Sequence, residues 1–297
     1  MMQRRTDLAV EAHEMWKEGA GETTKLPGVR AEEGAREGFD ATVVTVLDEE
    51  GAAAIGKPVG RYVTLELDGL LRREEDAFGR AARAIAAEVE AMAPAEGLAL
   101  VVGLGNRAVT PDIVGPLAAE HVLVTRHLVE QLPEHFGHLR PVAAAAPGVL
   151  ARTGVESGET AAALTAKLRP ACVIAIDALA SRAVERLCRT VQLSDTGLAP
   201  GSGVGNHRFA LNRETLGVPV LAVGVPTVVD GATLALDLLE RAGAALPDRD
   251  ALGGTALFVT PREIDSRAAD LARAIGYGVS MGLNPSLTVD DLIQLLE

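Results

Sequence analysis

The run Val173-Ile174-Ala175-Ile176 ends in a carboxylate, Asp177. A stretch apolar on both faces fits an interior strand of a parallel sheet covered by helices on both sides; a half-exposed strand would alternate with polar residues. A second stretch has the same form. Leu98 to Val102 is apolar, Gly103-Leu104-Gly105-Asn106 follows, and Thr110-Pro111-Asp112 comes next. Open α/β sheets hold their ligands beyond the carboxyl ends of such strands. Asp112 and Asp177 both fall there.

The remaining chain supports this frame. Thr6 is placed to cap a helix through Leu8, Ala12, Met15 and Trp16. Residues 19–38 are rich in Gly, Glu and Thr and read as a loose surface segment. Strands are expected at 41–47 and 60–67, with a short helix at 48–55 between them and an amphipathic helix at 74–92. From residue 97 strands and helices alternate. Strands are expected at 97–103, 141–146, 171–176, 190–193, 218–223 and 256–259. Helices are expected at 116–123, 126–132, 159–168, 183–188, 228–245 and 289–296. This order predicts an α/β fold, a mostly parallel central sheet with helices on both faces. No repeat or linker interrupts it, so one domain is expected.

The formal net charge of −13 argues against a direct nucleic-acid partner, because phosphate contacts need a basic face. Aromatics make up only 3% of residues, so the core must be built from Ala, Val, Leu and Ile. Cys172 and Cys188 lack a C-x-x-C spacing and read as buried free thiols in a reducing, cytoplasmic compartment. No run is long enough to span a membrane, and the N-terminus carries no signal-peptide core.

Several motifs compete for the chemistry. Gly103-Leu104-Gly105-Asn106-Arg107-Ala108 satisfies G-x-G-x-x-A, the dinucleotide fingerprint. That motif needs a helix opening inside it, and Pro116 forbids a helix running on from Ala108. The glycines then serve to turn the chain sharply beside the site. Gly201-Ser202-Gly203 follows a proline rather than a strand, so it is no nucleophile elbow. The loop from Ser194 and Asp195 through Gly201, Ser202 and Gly203 to Asn206 lacks the G-K-[ST] ending of a phosphate loop. Loops of this length often line or gate a binding groove. Asp112 and Asp177 have three readings. A lone Asp at a strand end commonly caps a helix or turn. Two held close together share a proton, so one can activate water while the other donates a proton to a leaving group. The same acids with His127 or His207 could ligate a divalent metal, although no H-E-x-x-H or H-x-x-E-H spacing is present. Thr6-Asp7-Leu8-Ala9-Val10-Glu11 reads locally as a helix cap with acids in the first turn.

With these residues in view, the sequence resembles the germination proteases of spore-forming bacteria. The matching stretches are 5–12, 60–66, 101–106 with 109–112, 125–128, 147–149, 174–180, 194–197, 200–206 and 224–230. They lie in one order along nearly the whole chain. The resemblance implies an atypical aspartic endopeptidase, with Asp112 and Asp177 as its catalytic pair, and a fold similar to hydrogenase maturation proteases, which keeps a metal in play; no cofactor is expected. It implies substrates among the small acid-soluble spore proteins and a place in the forespore or spore core. It also implies a homo-tetramer and a precursor that removes its own N-terminal segment. The family cuts after an acidic residue that precedes an apolar residue and Ala. Asp7-Leu8-Ala9 resembles such a site, which makes residues 1–7 a propeptide-like segment and 8–297 the peptidase domain. An acid before the cut also implies a basic reader, for which Arg61, Arg126 and Arg182 are candidates. Three features depart from the family: the short pro-segment, a shortened region between Ala245 and Thr255, and His207 where Lys is expected. The alternatives are a metal-dependent maturation-type protease on the same fold and a non-catalytic nucleotide-binding module.

Overall fold

The computed structural model describes residues 4–20, 26–199, 209–245 and 257–296. The segment containing Gly201, Ser202, Gly203, Asn206 and His207 lies outside the described residues, as does most of the shortened region after Ala245.

Nine strands among the described residues form one sheet. They are β1 (Val29–Arg36), β2 (Phe39–Val46), β3 (Gly60–Glu66), β4 (Ala99–Gly103), β5 (Val142–Ala145), β6 (Cys172–Ser181), β7 (Thr190–Ser194), β8 (Val220–Asp230) and β9 (Phe258–Val259). The order across the sheet is β1-β2-β3-β7-β8-β6-β4-β5, with β9 added to β8. The α/β fold with helices on both faces is as expected, and the sheet is mixed. β8, β6, β4 and β5 run parallel. β1, β2, β3 and β7 extend the sheet in antiparallel fashion.

The helices in chain order are α1 (Ala9–Ala20), α2 (Glu49–Ile55), α3 (Asp68–Leu71), α4 (Ala77–Met92), α5 (Val114–Glu120), α6 (Arg126–Gln131) and α7 (Pro133–Phe136). They continue with α8 (Leu150–Thr153), α9 (Ser157–Leu168), α10 (Arg213–Leu216), α11 (Gly231–Arg241), α12 (Ile264–Leu283) and α13 (Val289–Leu296).

Strand alternation sorts the helices onto two faces. Ile174 and Ile176 of β6 join Val101, Val223 and Leu65 against Ile85 of α4, Val114 of α5 and Ile275 of α12. Val173 and Ala175 face the other way, with Leu100, Val102 and Val220, onto Ala161 of α9 and Leu211 and Leu216 around α10. On that same second face, the antiparallel half is covered separately. There Val44, Val46 and Tyr62 meet Leu8, Val10 and Ala12 at α1 and Ile55 of α2. Each fully buried Val, Leu or Ile contributes about 1.5–3 kcal/mol. The second face therefore carries two separate clusters, and a gap is left between them.

Three expectations change. Within the loose segment foreseen at 19–38 lies a full strand, β1, paired residue by residue with β2. Its side chains are almost all exposed, so it carries no apolar alternation; the pairing makes it a strand. Glu37 and Gly38 both take positive φ and close a two-residue hairpin of the type that matches strand twist. The helix expected at 183–188 is a single 3₁₀ turn, Val184–Arg186, after which Cys188 adopts φ 53°. β8 runs on to Asp230 instead of ending at 223. Its pairing with β6 slips between Leu179 and Ala180, opposite Pro226, which has no N–H to give a ladder. Cys172 and Cys188 are buried and free. No helix among the described residues is long and apolar enough to cross a membrane.

Candidate active site

Asp177 continues the apolar run of β6 and is 6% exposed. Its register partner on β8 is Gly224, whose partner on β7 is Gln192. Paired residues project to the same face. Asp177 and Gln192 thus stand two strands apart with glycine between them, in the gap between the two clusters of the second face. A Cβ at Gly224 would fall 2.4 Å from Cδ1 of Leu179, so Leu179 folds over the strand only because Gly224 has no side chain. The gap is a cleft of about 240 Å³. Asp177, Leu179, Gln192, Ser194, Tyr62 and Lys57 line it, and so does Asp7.

Asp112 arrives differently. It closes a 3₁₀ turn, Thr110–Asp112, just after β4. Its carbonyl accepts from Asn106 N at 2.9 Å. Gly105, at φ 120°, has that carbonyl where a Cβ would stand, so only glycine allows the close approach. The hydroxyl of Thr227 on β8 donates to Pro111 O at 2.7 Å and ties the turn to the sheet. Leu104 N, meanwhile, donates to Ile176 O at 2.8 Å, next to Asp177. The structure therefore brings Asp112 and Asp177 to the carboxyl end of neighbouring strands. Asp112 is half-buried and borders this end; among the described residues it does not line the cleft itself.

The remaining expected site residues divide. Ser194 lines the cleft. Asp195 accepts from Arg61 N at 2.8 Å and stitches β7 to β3. Gly103 takes the Gly115 backbone against it, and the Asn106 side chain accepts from Ala108 N to form a local turn. These three shape the strand ends and are absent from the described lining.

Asp7 is fixed by two bonds to one residue. Its N–H donates to Ala180 O and its carboxylate accepts from Ala180 N, both at 2.8 Å. This is possible because β6 runs on past the last residue that β4 pairs, which leaves that edge open. Asp7 O accepts from Lys57 Nζ at 2.9 Å and from Gln192 Nε2 at 3.3 Å. Gln192 Oε1 accepts from Ala9 N at 2.7 Å. The Lys57 stem follows the left-handed cap of α2 at Gly56. Burial lowers the Lys57 pKa, while the Asp7 and Glu11 carboxylates pull it upward. Burial pushes the Tyr62 phenol up to about 12, with the Thr196 hydrogen bond opposing, and its hydroxyl donates to Pro58 O at 2.8 Å.

Beyond Leu8, which is fully buried, Glu11 anchors α1. Its carboxylate accepts from Arg182 N at 2.6 Å, Ala183 N at 3.0 Å and Arg186 Nη1 at 3.4 Å. The arginines proposed to read an acid are engaged elsewhere. Arg61 pairs with Glu88, Arg126 with Glu130, and Arg182 with Asp237 and Glu18. The Ala180 N–H donates to the Asp7 carboxylate, and the Lys57 charge acts on it as well. No group of three His, Cys, Asp or Glu among the described residues is arranged to hold a metal.

Comparison with known proteins settles the family. The profile described as germination protease matches residues 9–242. This chain belongs to the germination protease family. It is 42% identical to the germination protease of Caldanaerobacter subterraneus subsp. tengcongensis, over 98% of each chain. It is 41% identical to that of Clostridium perfringens, again over 98% of each. The germination protease of Bacillus cytotoxicus is 46% identical over 80% of this chain and 66% of its own. A hydrogenase maturation protease from Thermococcus kodakarensis aligns with 65% of this chain and 98% of its own, at 18% identity and a TM-score of 0.34, a likeness too slight to build on. Membership makes the protein a protease of spore germination.

Lys57 and Gln192 escaped the sequence reading. Thr190-Val191-Gln192-Leu193-Ser194 alternates, and its polar face reads as solvent-facing. In the fold that face is buried, and a glutamine there needs a partner.

Proposed function

We propose that this germination protease is a self-processing aspartic endopeptidase. In this reading Asp112 and Asp177 share one proton and exchange the acid and base roles. The ionised carboxylate takes a proton from water as the water oxygen adds to the peptide carbonyl. The protonated partner then gives its proton to the departing amine nitrogen. Substrates are small acid-soluble spore proteins, cut after an acidic residue that precedes an apolar residue and Ala. The working form is a homo-tetramer of the spore core. Residues 1–7 are the removable segment, and the bond broken in the precursor joins Asp7 to Leu8.

One observation carries the reading: Asp7, an acidic residue before Leu-Ala, lies in the cleft that Asp177 lines. It is held there by backbone and side chain like a bound peptide. A short N-terminal strap reaches its own site with little loss of chain freedom.

The test is to incubate the purified full chain at mildly acidic pH and follow its N-terminus by mass. Wild type should lose seven residues, and Asp177→Asn should keep them. Retention by wild type, or loss by both, would refute the proposal. Activity retained after exhaustive chelation separates this mechanism from a metal-dependent one.

A further inference from the structure

We propose that Gln192 and Lys57 bind the carbonyl of the residue before the cut, in the precursor and in substrates alike, and so set which peptide bond is broken. The inference rests on the reading of Asp7–Leu8 as the scissile bond. It adds residues to which neither the sequence nor the family comparison gives a role.

The argument is geometric. The carboxamide of Gln192 spans one peptide unit: Nε2 donates to Asp7 O at 3.3 Å and Oε1 accepts from Ala9 N at 2.7 Å. Its orientation is fixed by its partners, because a carbonyl can only accept and an amide N–H can only donate. The bond between those two contacts is Asp7–Leu8. Lys57 Nζ adds a second donor on Asp7 O at 2.9 Å and reaches Thr6 O at 3.2 Å. Two donors converge on the oxygen whose carbon would be attacked. Gln192 is buried, 8% exposed, and stands abreast of Asp177 with Gly224 between. All of these partners are main-chain atoms, so the clamp would take any sequence and fix its register. The acidic side chain meets the Ala180 N–H, and the Lys57 charge acts on it as well.

During hydrolysis the C=O π pair moves onto the carbonyl oxygen as water adds to carbon. Lys57 and Gln192 hold that oxygen while it carries negative charge. When the C–N bond breaks the pair returns to carbon, and the Leu8 nitrogen leaves with a proton from the acid pair. Donors aimed at a developing oxyanion are worth about 10²–10³-fold in rate each.

The test uses the full chain and the first-order rate of N-terminal loss. Lys57→Met and Gln192→Leu should each slow processing by about 10²-fold while circular dichroism shows each variant folded at the assay temperature. Lys57→Arg, which keeps a charged donor, should recover part of the rate. Gln192→Glu separates binding from mere packing: ionised, it repels the carbonyl; protonated, it donates again. Its rate relative to wild type should therefore rise as pH falls through the ordinary carboxyl range. Variant rates within about threefold of wild type, or a Gln192→Glu deficit that stays flat with pH, overturn the inference. If wild type cuts and the variants cut equally well, this inference alone is lost. If wild type leaves the Asp7–Leu8 bond intact, the proposed self-cleavage falls with it.

Discussion

The two halves of the sheet are built by opposite rules. In the parallel half, every residue of β4 is buried, and Val173 to Ile176 of β6 are wholly enclosed. In the antiparallel half, β1 is exposed over nearly all its length and carries Arg30, Glu32, Glu33 and Arg36. Charges on an edge strand discourage pairing with another chain. The parallel half supplies the carboxylates at fixed strand ends. The antiparallel half supplies Tyr62 and the polar face of β7, and Lys57 comes from the turn that leads into β3. The cleft lies where the two meet. Rigidity comes from one side and polar contacts from the other.

Substitutions can break this comparison or sharpen it. The largest effect is expected at Asp177. Asp177→Asn should lower peptidase activity by on the order of 10³-fold, within the range for loss of an acid–base group, and leave the unfolding midpoint nearly unchanged. Rates and denaturation curves on the same preparation check both parts. Next, Ile174→Ala empties space in the enclosed half and should cost about 3 kcal/mol in urea unfolding. Third is Glu88, a buried carboxylate of α4 that pairs with Arg36 of β1 at 2.6 Å and with Arg61 of β3 at 2.8 Å. Glu88→Gln should cost about 2 kcal/mol, less than a fully enclosed pair because both arginines reach solvent. Glu32→Ala on β1 belongs at the bottom, within about 0.5 kcal/mol of wild type.

A pH effect of similar modest size is expected at His13. Burial lowers its pKa from the ordinary 6.5, Lys17 adds to this, and Glu14 opposes it. The unfolded chain therefore takes up the proton first as pH drops below 6.5, and stability falls with acidification through that window. His13→Gln should flatten the slope of unfolding free energy against pH there. An unchanged slope would remove His13 from the account.

Legibility in the sequence follows the same division. β6 and β4 could be read directly, because burial on both faces writes an unbroken apolar run. Their terminal acids could be read with them. β1 could not, since partnership with β2 and a two-residue turn make it a strand while its side chains face water. Lys57 and Gln192 were hidden for a related reason. Alternating polar residues look solvent-facing until α1 and its leading residues are laid over them. The Ala180 N–H that donates to the Asp7 carboxylate could not be read either, because a backbone group carries no sequence signal.

The Glu11 anchor has an electrostatic consequence. With α1 fastened through its first turn to residues 182, 183 and 186, scission before Leu8 would not release the helix. A new α-amino group, with an ordinary pKa of about 8, would be created at Leu8 and kept there. That nitrogen would stay next in the chain to the place Asp7 holds in the cleft lined by Asp177. If the proposed cut is made, a charged chain end would in this way be added beside the site without any change of fold.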